Sequence, residues 1–231
     1  MSGFCFYKPG LNLRELEALA SELKIPCIEL DEAFQRESRQ ALLRARYESG
    51  LRYACLHLQK PISAYSKDEI QKAALWCEAN YVEAILFTSP GESVEAAVQA
   101  MAWLDDFRID TVFENRIGSF LTTPDDMEAF FRGNKGALLC FNAAEMVSQR
   151  IHPFLTALNG KHYRRQLYMV RVQDRSFNGE DALPGCGDAE LAEIFSAAAG
   201  FGRNLFASVA PYAGFPPAEI KTHMCGILCR I

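Results

Sequence analysis

Short apolar runs alternate with longer amphipathic ones from one end of the chain to the other. Eight of the short runs, "GFCFYK", "PCIELD", "RYACLHLQ", "VEAILFTS", "TVFENR", "ALLCFNAA", "LYMVRVQD" and "LFASVAPY", are too brief for helices and rich in β-branched, aromatic and leucine residues, which marks them as strands. Between them the apolar positions follow the helical period. Leu13, Leu16, Leu19, Ala20 and Leu23 share one face, as do Val94, Ala97, Val98, Met101 and Leu104. Each such stripe needs a sheet to cover. Local signals agree: "TTPDD" offers Thr123 as an N-cap, Pro124 at the first helical position and acidic groups in the first turn, and "RGNKG" closes the same helix at Gly133 and Asn134.

Strands alternating with helices predict a parallel sheet. Eight βα units with no linker or low-complexity tract between them are what an α/β fold of the (β/α)8 type, a TIM barrel, needs in roughly 250 residues. Residues 1–231 are therefore expected to form a single TIM-barrel domain. The rival, a doubly wound open sheet, usually carries a phosphate-binding glycine loop after its first strand, and "FYKPGLNL" has one glycine.

Composition narrows the partners. Hydrophobic residues make up 49% and charged residues 23% of the chain, as in an ordinary folded globular protein. The 24 Lys+Arg are outnumbered by 29 Asp+Glu, for a net charge of −5, and no basic run exceeds the pair Arg164-Arg165. Nucleic acid is thus not an expected partner. No segment approaches the ~18 continuous apolar residues of a membrane span, and "MSGFCFYKPG" lacks a basic n-region and apolar core, so a cytoplasmic location without membrane contact is expected. The eight cysteines fall singly in apolar runs such as "FCFY" and "YACLHL" and read as reduced core residues. "HMCGILC" sets His223, Cys225 and Cys229 on one helix, but no second ligand pair follows at zinc-finger spacing, and helix packing is the preferred reading.

A barrel presents its working groups at the C-terminal ends of its strands, so the polar residues that finish each run are the candidates. Strand two offers Glu29 or Asp31, strand three His57 and Gln59, strand four Thr88 and Ser89, and strand five Glu114, Asn115 and Arg116. Strand six offers Asn142 and Glu145, and strand seven Arg171, Gln173 and Asp174. Strand eight has only Ser208 and Tyr212 around Ala210.

In order and spacing these segments resemble the xylose-isomerase-like barrels, which include sugar and sugar-phosphate isomerases and epimerases and the endonuclease IV group. "FENRIGS" resembles that family's Glu-Asn-His element on strand five, "LCFNAAE" its Asp-x-x-His on strand six, and "VRVQD" its His-x-x-Asp on strand seven. "LPGCGDAEL" is similar to the Leu-Pro-Gly-x-Gly-Asp loop that follows. The resemblance implies a divalent cation held by Glu, Asp, His and Glu from strands five to eight. Residue by residue, the first is kept as Glu114, while the others are Asn142, Arg171 and Ala210; Glu145 stands for the strand-six His and Arg116 for the third residue of the strand-five element.

Arginine has no lone pair to offer a metal, and a guanidinium ~4 Å from a divalent ion would repel it by roughly 8 kcal/mol at an effective dielectric of 20. Neither a metal nor another cofactor is expected. Arg171 is expected where the cation would stand, its fork either pairing with Glu114 while presenting positive charge to a ligand, or forming a buried pair that only satisfies itself. Two functions follow from the resemblance. One is a divergent, metal-independent isomerase or epimerase acting on a small anionic sugar or hydroxy-carbonyl compound. In it, Glu114 or Glu145 would move the proton, Arg171 and Arg116 would stabilise enediolate oxygens, and Asn142 and His57 would orient the substrate, with Asp174 as a further binding group. The other is a barrel that has lost catalysis and serves as a ligand-binding or interaction protein.

Overall fold

A computed structural model describes residues 3–88, 93–199 and 205–229. The barrel strands are β1 (Gly3–Phe6), β2 (Cys27–Asp31), β3 (Arg52–Leu58), β4 (Val82–Phe87), β5 (Asp110–Glu114), β6 (Ala137–Asn142), β7 (Leu167–Arg171) and, after a small antiparallel hairpin of β8 (Asp174–Arg175) and β9 (Asp181–Ala182), β10 (Phe206–Val209). They pair in parallel in the order β1-β10-β7-β6-β5-β4-β3-β2 and close on themselves, which leaves no barrel edge exposed. Each of the eight expected strands lies where the apolar runs put it.

Among the described residues eight α-helices accompany the strands: α1 (Leu13–Leu23), α2 (Arg39–Glu48), α3 (Lys67–Asn80), α4 (Val94–Leu104), α5 (Pro124–Gly133), α6 (Ala143–Ser148), α7 (Leu191–Ala199) and α8 (Pro217–Leu228). Their starts are written in the sequence. Asn12, Ser66 and Thr123 accept from the backbone three residues on while Glu15, Glu69 and Asp126 reach back, forming a capping box at α1, α3 and α5. The α1 stripe is buried as expected, with Leu19 half-buried. In α4 the expected face is turned: Ala97, Ala100 and Leu104 are buried, whereas Val94 and Val98 are each 42% exposed. Small alanines let this helix lie close to its neighbours, and the bulkier valines fall on the flank. None of the helices among the described residues is long and apolar enough to cross a membrane.

Inside the barrel the strands alternate as a pleated chain must, with residues two apart sharing a face. A cluster drawn from strand residues alone, including Cys5, Cys27, Cys55, Leu86, Val112, Cys140, Met169 and Phe206, fills the lower interior. Two positions further along each strand come Tyr7, Glu29, His57, Thr88, Glu114, Asn142, Arg171 and Ser208. The barrel thus changes from apolar to polar within one pleat. All eight cysteines are free thiols, five of them buried.

Candidate functional site

Arg171 organises the polar layer. Its Nη1 donates to Glu29 Oε2 at 2.7 Å and to Ser208 Oγ, while Nε and Nη2 both donate to Glu114 Oε2, at 3.3 and 3.2 Å. Four of its five N–H groups are so engaged. The guanidinium and both carboxylates are almost wholly withdrawn from solvent. β7 places Arg171 between β6 and β10, in register with Asn142 on one side and Ser208 on the other. The register shift between Ile28 and Glu29 sets Glu29 beside Cys55 and Asp31 beside His57.

Glu29 is the most heavily solvated group of the site, although its solvent is protein. Besides Arg171, its carboxylate accepts from Ser208 Oγ, from His57 Nε2 at 2.7 Å and from Cys5 Sγ at 3.3 Å. Burial alone would push this carboxyl up, but the Arg171 guanidinium and the His57 and Ser208 hydrogen bonds outweigh burial and hold it well below the usual carboxylate range. The His57 pKa is also lowered, but for the opposite reason: burial disfavours its cation more than Glu29 favours it. The ring lies flat on Tyr7, with centroids 4.0 Å apart and planes 4° from parallel. Tyr7 Oη in turn accepts from Gln59 Nε2 at 2.7 Å, and burial pushes the phenol up to about 12.

On the other side, Asn142 Nδ2 donates to Glu114 Oε1 at 3.2 Å and to Gln173 Oε1 at 2.9 Å. Its own Oδ1 is buried without a partner. Asn115 is wholly buried, and its side chain exchanges two hydrogen bonds with the Asn142 backbone, locking β5 to β6. Arg116 crosses the mouth, with Nη1 donating to Thr88 O at 2.9 Å and Nε 3.9 Å from Glu114 Oε1. These groups surround a cavity of about 380 Å³ whose lining includes Tyr7, His57, Gln59, Thr88, Glu114, Arg116, Arg171 and Gln173. A larger hollow of about 780 Å³ runs along α2 from Ser38 to Glu48, but it is lined by that one helix and its cap alone.

Of the residues singled out in the sequence, Glu114, Arg171, Asn142, Arg116 and His57 therefore come together. Glu145 and Asp174 do not join them. The Glu145 carboxylate accepts from Ile117 N at 3.0 Å, tying α6 to the loop after β5. Asp174 is spent on backbone, accepting from the amides of Arg175, Gly185, Gly187 and Ala189 at 2.8–3.1 Å. This explains the Leu183–Asp188 loop. Gly185 has φ +80°, and a Cβ on Gly187 would meet Asp174 Oδ1 at 2.4 Å. Ser89 lies outside the described residues. Glu29 and Ser208 were among the strand-end candidates but not in the expected site; an acid inside the apolar run "IPCIEL" was the signal for the first.

The donor set can be tested against the divalent metal that the resemblance implies. Glu114 and Asn142 offer oxygens, but Arg171 offers no lone pair and already occupies the Glu114 oxygen, and Ala210 offers nothing. These residues do not fit that ion. Among the described residues the one group of three ligand-type side chains within reach of one another is Glu29, Cys55 and His57, with ligand atoms within 4.8 Å. There a cation would have to displace Arg171 and the His57 hydrogen bond from Glu29. Among the described residues His223, Cys225 and Cys229 form no such group, and His223 Nδ1 lies 3.9 Å from Cys186 Sγ.

Neither a protein-family model nor a curated protein matches the chain. Solved structures do. The probable 3-DHS dehydratase of petrobactin synthesis from Bacillus anthracis aligns over 98% of both chains with TM-score 0.78 and 11% identity. The 3-keto-D-glucoside 4-epimerase from E. coli aligns over 99% of both, with TM-score 0.73 and 11% identity. A xylose isomerase-like TIM barrel protein from Mycobacterium smegmatis in complex with magnesium covers 93% of this chain and 86% of its own, with TM-score 0.72 and 11% identity. The chain therefore has the xylose isomerase-like barrel fold, and at this identity the likeness extends to the fold alone.

Proposed function

We propose that the chain is a metal-independent enzyme of the sugar isomerase or epimerase type, acting on a small anionic sugar or hydroxy-carbonyl compound at the barrel mouth. The carrying observation is the buried Glu29–Arg171–Glu114 chain of ion pairs, which fixes a guanidinium between two carboxylates among the groups lining the cavity, with Arg116 as a second cation at its mouth. Solved structures of this fold include epimerases and a probable dehydratase, chemistries that pass through removal of a proton beside a carbonyl or hydroxyl carbon, as well as endonuclease IV. Such a reaction needs an electrophile for the developing oxyanion and a group to exchange the proton. The remaining N–H of Arg171 and the partly exposed Arg116 supply the first, and Glu114 and His57 are the cavity groups able to supply the second. The free thiols fit a reducing, cytoplasmic compartment.

The test is a thermal-shift screen of neutral sugars against sugar acids, sugar phosphates and hydroxy-keto acids, followed by isomerisation assays on those that bind. Anionic compounds should raise the melting temperature of the wild type and lose most of that effect in Arg116→Ala. A preference for neutral sugars would refute the charge argument. Binding without turnover or proton exchange would favour the alternative of a ligand-binding barrel without catalysis, which the full engagement of Glu114 by Arg171 and Asn142 supports.

A further inference from the structure

Building on the reading of the mouth as a proton-transfer site, we propose that its base is His57, oriented by Glu29, with Nδ1 as the atom that takes the substrate's proton. Glu114 then serves to position Arg171 rather than to react.

The argument begins with lone pairs. Glu114 Oε2 accepts two N–H groups of Arg171 and Oε1 accepts from Asn142, so neither oxygen faces the cavity unengaged. His57 differs. Its Nε2 is held 2.7 Å from Glu29 Oε2, and Glu29, kept ionised by Arg171, is an acceptor only, so Nε2 must carry the hydrogen. In the neutral ring that burial favours, the lone pair is then on Nδ1. Nδ1 has no hydrogen-bond partner among the described residues, and the sealed, unpartnered polar atoms there are Asn80 Oδ1 and Asn142 Oδ1. Nδ1 is therefore open to the cavity that His57 lines. Stacking on Tyr7 fixes the ring plane, and the Glu29 hydrogen bond fixes its rotation. The carboxylate has a second use: once Nδ1 is protonated, Glu29 stabilises the imidazolium.

The step balances without any co-reactant. The C–H bond beside the substrate carbonyl breaks, its proton passes to Nδ1, and its electron pair forms the C=C bond of an enediolate whose oxygen takes the negative charge beside Arg116 and Arg171. The imidazolium returns the proton to the neighbouring carbon as that carbon's oxyanion takes up the proton of the adjacent hydroxyl, whose oxygen becomes the new carbonyl, giving the isomer. The groups bearing on His57 are Glu29 from β2, Tyr7 after β1, Glu114 from β5, Arg171 from β7 and Cys55 on its own strand.

Two measurements test this. The first is 15N NMR of the four histidines in the wild-type protein, assigned with His57→Gln. His57 should show protonated Nε2 and unprotonated Nδ1 at neutral pH, and a hydrogen on Nδ1 would overturn the proposal without touching the wider reading. The second follows hydrogen–deuterium exchange at carbon in D2O with three enolisable probes: dihydroxyacetone, dihydroxyacetone phosphate and hydroxypyruvate. Wild type should exchange an anionic probe with a rate that falls on acidification only at a pH below the ordinary imidazole value, and His57→Gln should slow it at least ~100-fold with little change in probe affinity. Exchange that survives His57→Gln but disappears in Glu114→Gln would overturn the dyad and keep the isomerase reading. No exchange of any probe by folded wild type would remove both.

Discussion

Two layers of the same barrel, one pleat apart, differ in almost everything except backbone. The lower one, with Cys5, Cys27, Cys55, Cys140, Met169 and Phe206, is apolar and held mainly by packing, the thiols of Cys5 and Cys55 reaching up to Glu29. The upper one, with Glu29, His57, Glu114, Asn142, Arg171 and Ser208, is equally buried yet polar throughout. There each group depends on named partners, and the removal of one leaves others unsatisfied. The lower layer explains why the barrel is filled, and the upper layer is where a sequence invests stability in chemistry.

The comparison breaks most sharply at Arg171. Arg171→Met keeps the bulk but strands Glu29 and Glu114 in the interior, and should destabilise the fold by about 3–5 kcal/mol in urea unfolding. If the loss is under about 1 kcal/mol, the layer is not the coupled network described. Next comes Asp174→Ala, which leaves four backbone amides without their acceptor; a loss of about 2–3 kcal/mol is expected, with faster proteolysis between Leu183 and Asp188. Cys140→Ala, in the lower layer, should cost only about 1 kcal/mol, and that cost should be the same at pH 5 and pH 7.

Acidification separates the layers without mutation. His57 titrates below its ordinary 6.5 in the folded state and Glu29 below its ordinary 4.5, so in both cases the unfolded chain takes up the proton first. Their contributions are present above those ordinary values and are lost as pH falls, starting below about 6.5 for His57 and below about 4.5 for Glu29. Melting curves from pH 7.5 to 4 should show this loss, and His57→Gln should remove the part that begins nearer neutrality. The smallest effect is expected at Glu145→Ala, about 0.5 kcal/mol, since one loop amide loses a partner close to solvent.

The barrel was legible because strand and helix periods, caps and the repeat of βα units all point to one architecture. Thr123 and Asp126 illustrate this, forming at α5 the cap that the sequence announces. The α4 face was misjudged because alanines carry little weight in a hydrophobic stripe although they allow the closest packing. The pairing of Arg171 with Glu114 could be anticipated from where two strand ends fall in a barrel. Glu29 could not be chosen over Asp31, because a register shift between β2 and β3 decides which of them meets His57, and its partner Arg171 is 142 positions away. The burden on Asp174 was hidden for a similar reason: its partners are amides, which no side-chain motif displays.

The central claim is that a guanidinium, not a metal ion, supplies the positive charge at this mouth. It is tested most directly by metal analysis of protein purified without chelator, with thermal-shift titrations of Mg²⁺, Mn²⁺, Zn²⁺ and Co²⁺ on wild type and Glu114→Ala. The account predicts no stoichiometric metal and no rise in melting temperature with any of the four. Stoichiometric metal that is lost in Glu114→Ala would contradict it, and would mean that Arg171 yields the Glu114 carboxylate to a cation.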